Sequence, residues 1–318
     1  MKRLLLAAAI GLAVTGSYAQ EYPSKQITII VPNPPGGMNQ IHAQPLSAVI
    51  EKLNKQPAPV INKPGATAAV GTAYVANQTP DGYNLLVTTP NLYLVIEKDR
   101  LYGIKSPYSL DQIAPVALLS ADPLTMVVQA QSPYQSVKDF VAAAKAKHGA
   151  LSFSSSGPYG ITHVPVAMFM GAADIKMRHV PTTGGGPAVI QLLGGHVDIT
   201  GAGPAGVYPH VSAGKLRAIA TWGVKPYPSF PNVPTLKELG YDVEAYLWVG
   251  LFTTAGVPEA TFNKMREMIR KVAEDALFKQ ALEKAHVVPD YRDTPEFRKF
   301  FDADYKRMAV AVAKIGKL

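Results

Sequence analysis

The sequence predicts an α/β protein of two similar lobes, each a mainly parallel sheet flanked by helices. Three observations carry that expectation. Between Gln26 and Thr89, short β-branched runs alternate with Gly-rich turns and helical patterns. The same plan of strand, turn and helix starts again at Leu151. The chain of 318 residues, 47% of them hydrophobic, is long enough to build two cores.

Taken in order, Ile27-Thr28-Ile29-Ile30-Val31 reads as a buried strand that stops in Pro32-Asn33-Pro34-Pro35-Gly36-Gly37. A helix over 38–55 follows, with Ile41, Leu46, Val49, Ile50 and Leu53 on its apolar positions. A strand that ends in such a turn leaves backbone N–H groups at the helix N-terminus, with the positive end of the dipole behind them. This geometry suits an anion. A second strand over 59–62, the turn Lys63-Pro64-Gly65-Ala66, a small-residue helix through Ala76 and a third strand over 85–89 complete the first repeat.

Further strands are expected over 124–128 and 151–154, and an amphipathic helix over 137–147 lies between them. The turn Ser155-Ser156-Gly157-Pro158-Tyr159-Gly160 then feeds a helix over 161–171. A strand over 177–180, a helix opened by Thr182-Thr183-Gly184-Gly185-Gly186-Pro187, and strands over 196–200 and 216–221 follow. Last come an apolar strand over 246–252, a helix over 260–276 and a helix started by Asp293-Thr294-Pro295. The strands near 124 and 248 read as the crossings between lobes. Lobe 1 is therefore expected over 20–125 and 247–318, and lobe 2 over 126–246. Each lobe offers N–H-rich turns at the same edge, which implies a cleft between them.

Lys2 and Arg3, an apolar run from Leu4 to Val14, and Ser17-Tyr18-Ala19 read as a signal peptide over 1–19. The run is too short to span a bilayer comfortably. The chain contains no cysteine, which excludes disulfides, thiolate metal sites and an acylated lipobox. A periplasmic protein is the expectation. The net charge of +8 is spread rather than clustered. Its densest stretch, from Lys264 to Lys284, alternates basic and acidic residues, as a solvated helix face does and a nucleic-acid surface does not.

Gly201-Ala202-Gly203-Pro204-Ala205-Gly206 matches the dinucleotide fingerprint, but Pro204 and Pro209 are expected to interrupt the helix it needs. A tight strand-to-helix turn explains it better. The seven histidines show no metal-ligand spacing. Ser156 near His163 raises a serine hydrolase, yet no nucleophile elbow and no orienting acid accompany them. No catalytic residue, metal or cofactor is expected.

Together these segments resemble the Bug family, the periplasmic solute-binding receptors associated with tripartite tricarboxylate transporters. The likeness rests on Tyr22-Pro23-Ser24-Lys25, Pro34-Pro35-Gly36-Gly37, Asn62-Lys63-Pro64-Gly65-Ala66, Pro80-Asp81-Gly82-Tyr83 and Ser155-Ser156-Gly157. Farther along it rests on 192–198, 213–218 and Pro231-Asn232-Val233-Pro234-Thr235. The resemblance implies a two-lobe, type II-like Venus flytrap that holds one carboxylate by main-chain amides. Carried over by position, the ligand contacts are Asn33, Gly37, Met38, Asn39, Gln40, Ala66 and Thr89 in the first lobe. Those in the second are Ser155, Ser156, Tyr159, Gly160, Thr162, His163, Thr182 and Ala202.

Members commonly carry an acid at two places where this chain has Met38-Asn39-Gln40 and Ala202-Gly203. The missing acids point away from an amino acid and toward a mono-, di- or aromatic carboxylic acid. Tyr159 is expected to add an aromatic face to the cleft. The implied partners are that carboxylate and a membrane permease of the tripartite tricarboxylate type, with no nucleic acid and the receptor a monomer. A sensor for a membrane signalling partner is the alternative, and a secreted serine hydrolase a weaker one.

Overall fold

The computed structural model describes residues 22–318, so the proposed signal peptide lies outside the described residues. The first lobe begins as β1 (Thr28–Val31), α1 (Met38–Asn54), β2 (Val60–Asn62), α2 (Ala69–Ala76), β3 (Asn84–Thr88), α3 (Asn91–Tyr102) and β4 (Ile113–Pro123). The second holds β5 (Thr125–Gln129), α4 (Val137–Ala146), β6 (Ser152–Ser155), α5 (Val164–Ala173), β7 (Arg178–Pro181), α6 (Gly185–Leu193), β8 (Ile199–Ala202), α7 (Pro204–Ser212) and β9 (Leu216–Thr221). The chain then returns as β10 (Tyr246–Thr254), α8 (Glu259–Glu274), α9 (Ala276–Lys284), β11 (Pro289–Asp293) and α10 (Thr294–Ile315).

Two separate sheets result, ordered β11-β4-β10-β3-β1-β2 and β7-β6-β8-β5-β9. In the heart of each the pairing is parallel, β1 with β2 and β3, and β6 with β7 and β8. The antiparallel pairs come from strands that carry the chain between lobes. β10 runs against β3 and β4, and β5 against β8 and β9. Each lobe is thus an α/β layer with a mixed sheet.

The crossing is sharper than the sequence indicates. The 11-residue strand β4, absent from the sequence expectation, runs in the first sheet up to Pro123. After Leu124 the chain continues at once as β5 in the second. Leu124, Trp222 and Ala245 meet at this point through main-chain bonds: Leu124 N–H to Ala245 O, Trp222 N–H to Leu124 O, and Ala245 N–H to Trp222 O. The indole N–H of buried Trp222 donates to Pro165 O at 3.1 Å, fixing the crossing to α5.

α10 returns to the first lobe and closes its core. Trp248 Nε1 and the Tyr93 hydroxyl both donate to Asp304 Oδ2, at 2.7 and 2.5 Å. Gly250 admits the helix: a Cβ there would lie 2.4 Å from Phe297 Cζ. The helix expected over 260–276 is α8, and a further helix, α9, follows it, because Asp275 accepts from Leu277 N–H and caps its start. α7 forms despite its prolines. Pro204 sits in the first turn, where no N–H is needed, and Pro209 is accommodated inside.

Candidate functional site

The carboxyl ends of β1 and β3 in one sheet, and of β6, β7 and β8 in the other, feed loops that face each other across a cleft of about 340 Å³. The first lobe contributes 33–39, Ile41, Thr89, Asn91 and Leu247. The second contributes Ser156, Ile161 and Thr162, the start of α6 over 184–187, and one side of α7. The lobes touch here. Ile161 N–H donates to Asn91 Oδ1 at 2.8 Å, and Met38 Sδ would be 3.3 Å from a Cβ on Gly203.

Three helices begin at this cleft, and each has a glycine as N-cap with no side-chain cap bond: Gly37 for α1, Gly184 for α6 and Gly203 for α7. Their first N–H groups, on Met38 and Asn39, on Gly185 and Gly186, and on Ala205, have no partner within their helices. Three positive dipole ends therefore converge on one space. Among the described residues no acidic side chain lines it, so no carboxylate of the lining competes for those amides. Asn33 and Asn39 are tied together, Asn39 Nδ2 donating to Asn33 Oδ1 at 2.6 Å, while Asn62 Nδ2 donates to Asn33 O and to Gln40 Oε1. This network holds the first-lobe turn in place from behind.

Of the residues expected to contact ligand, Asn33, Gly37, Met38, Asn39, Thr89, Ser156, Thr162 and Ala202 line the cleft. Ser156 and Thr162 are joined, Ser156 N–H to Thr162 Oγ1 at 2.7 Å and Thr162 Oγ1 to Ser156 Oγ at 2.9 Å. The others lie elsewhere, for identifiable reasons. Gln40 is engaged by Asn62. Ala66 opens the short 3-10 turn before α2. Gly160 packs on Thr67, and Thr182 donates to Ser155 O and Gly184 O.

Tyr159 departs most from expectation. Its ring packs edge-on against Tyr102, and its hydroxyl donates to Gly316 O at 2.7 Å and accepts from Leu318 N–H at 3.0 Å. It therefore clasps the second lobe to the end of the first and adds no face to the cleft.

Ser155 and His163 are buried beneath the same turn. Ser155 Oγ lies 2.7 Å from His179 Nε2, and His163 Nδ1 accepts from Tyr159 N–H. The two imidazoles have ring centroids 4.2 Å apart, and Phe153 stacks against both. Burial, with the neighbouring His179 adding to it, pushes His163 down to about 3, and burial pushes His179 down to about 4. Both are neutral packing elements, and His163 does not touch Ser156 as a hydrolase base would.

The residues missed are the starts of α6 and α7 and the far end of α7. Their signal was present: Gly184-Gly185-Gly186-Pro187 mirrors Pro34-Pro35-Gly36-Gly37 as a glycine stop before a helix. The dinucleotide-like run is the direct turn from β8 to α7.

Residues 43–317 match the model of the tripartite tricarboxylate transporter family receptor. The chain is 28% identical over 322 residues to the protein BugT of Bordetella pertussis, covering 99% of this chain and 98% of that protein. It is similar to a TctC solute binding protein from Polaromonas, at 30% identity and TM-score 0.70, covering 92% of this chain and 100% of that one. A protein of R. palustris solved with adipate shares the fold at TM-score 0.86 and 22% identity, covering 93% and 98%.

Proposed function

We propose, from the premise that this chain belongs to the tripartite tricarboxylate transporter receptor family, that it captures a small carboxylate in the cleft between its lobes and delivers it to a membrane permease of that transporter type. The family is one of periplasmic solute receptors, and the R. palustris neighbour was solved with a dicarboxylate. The observation that carries the reading for this chain is the convergence of three glycine-capped helix N-termini on a space without an acidic side chain. Amides so placed hold a carboxylate without transferring a proton or forming a bond, so the reading includes no catalysis. Because the amides come from both lobes, a bound anion favours the closed arrangement over the open one.

The rest of the proposal rests on the sequence: lobe 1 comprises 20–125 and 247–318 and lobe 2 comprises 126–246, the leader over 1–19 directs export, and the receptor works as a monomer.

A thermal-shift screen across aliphatic, aromatic and amino acids tests the reading. Ligand at about 100 times its Kd contributes about 2.7 kcal/mol, which raises the melting temperature by several degrees. The expected result is a rise with one or more carboxylic acids. A rise confined to cationic amino acids overturns it.

A further inference from the structure

The cleft continues past the helix N-termini along α7. Gly203, Gly206 and His210 are spaced three and four residues apart, so they share one side of that helix, and all three line the cleft. The rise of an α-helix puts His210 about 10 Å from Gly203. Tyr208, on the other side of α7, stacks on His286 of the first lobe with ring centroids 3.5 Å apart, which fixes the helix with its Gly206 side toward the cleft.

Several glycines of the lining are there for space. A Cβ on Gly37, Gly185, Gly186 or Gly206 would meet no atom within 4 Å, unlike Gly71, where it would lie 2.7 Å from Pro32 Cα. Between the amide end and His210 the walls are apolar, with Val189, Ile190, Ala205 and Pro209. The lining contains one side chain that can carry charge, and it is the half-buried imidazole of His210, which has no side-chain hydrogen bond among the described residues.

We propose that His210 reads the far end of the ligand, and that the preferred ligand is a long dicarboxylate: one carboxylate on the helix N-termini, an apolar middle, and a second carboxylate at His210. This rests on the carboxylate reading above and narrows it to acids whose two charged ends span roughly two turns of α7. A carboxylate docked at His210 accepts from a ring N–H. A four-carbon diacid is too short to reach both ends, and a long monoacid leaves His210 without its anion.

Calorimetric titration of the wild-type protein with suberate, succinate and octanoate tests this. Suberate is expected to bind at least about tenfold more tightly than either, the worth of one charge-assisted hydrogen bond. In His210→Gln the advantage of suberate over octanoate should fall to within about twofold, and His210→Lys should keep it. An unchanged preference in His210→Gln, or a wild-type protein that binds succinate or octanoate as tightly as suberate, overturns the proposal and leaves the carboxylate reading standing. Failure of all three acids, and of the wider acid screen, overturns both.

Discussion

Two Gly-rich turns that look alike in sequence are put to different uses. In the first lobe the turn over 34–37 is open. Gly37 starts α1 with no side chain on its amides, and a Cβ at Gly36 or Gly37 would have nothing within 4 Å. In the second lobe the turn over 155–160 is filled. Ser155, Tyr159 and His163 are buried, Ser155 Oγ accepts from Gly157 N–H, and a Cβ on Gly157 would sit 2.7 Å from Thr67 Oγ1 of the first lobe. A turn keeps its amides for a ligand only where no side chain has already taken them. The second lobe lines the cleft chiefly through α6 and α7, and its first turn is a seam between lobes.

The largest effect is expected from closing the open turn chemically. Gly37→Asp places a carboxylate on the N-cap of α1, at a φ of −91° that any residue adopts, where it would bond the amides a ligand needs. Folding should gain a few tenths of a kcal/mol from the cap, while affinity for carboxylates falls about a hundredfold. Urea melts and titrations on the same variant measure both. Loss of stability together with affinity would show that the turn is structural after all.

The lobes should also part company in acid. Burial pushes His42 of the first lobe down to about 4 and Asp122 up to about 6, the latter in spite of donors from Tyr227 and Val288. A histidine with a depressed folded pKa contributes stability that is complete above its unfolded value near 6.5 and is lost as pH falls toward 4. A carboxyl with a raised folded pKa contributes stability below its unfolded value near 4 and loses it as pH rises toward 6. In the first lobe these opposing slopes largely cancel. In the second, His163 and His179 act in the same direction, His163 alone by about 2 kcal/mol at pH 5. Hydrogen exchange at pH 7 and pH 5 should therefore show β6 and α5 losing protection before β1 and α1. Simultaneous loss would argue that the lobes share one cooperative unit.

What the sequence revealed follows from where local signals dominate. β1, α1 and the 34–37 turn were legible because an apolar run, a Pro/Gly stop and a 3.6-residue pattern lie within one short stretch. β4 was not, since Ile113–Pro123 owes its strand to pairing with β10 and β11 from the far end of the chain. The position of the 33–39 segment on the cleft was legible for the same reason. Tyr159 misled because its φ of 56° and its partners Tyr102, Gly316 and Leu318 are tertiary facts. Inside a glycine turn an aromatic residue looks functional, and nothing nearby in the sequence announces a tail arriving from 157 residues away.

The smallest effect tests that seam. Tyr159→Phe keeps the ring against Tyr102 and removes the hydroxyl that joins Gly316 O and Leu318 N–H. Those groups lie near solvent at the chain end, so water replaces much of what is lost and stability should drop by about 1 kcal/mol. Affinity for a carboxylate should stay within about threefold, since neither the hydroxyl nor the ring lines the cleft. Gly37→Asp and Tyr159→Phe then form opposite pairs, one losing binding at full stability and the other losing stability at nearly full binding. If Tyr159→Phe instead weakens binding as severely as Gly37→Asp does, the clasp sets the population of closed molecules, and the two turns are coupled through lobe closure rather than divided between ligand and scaffold.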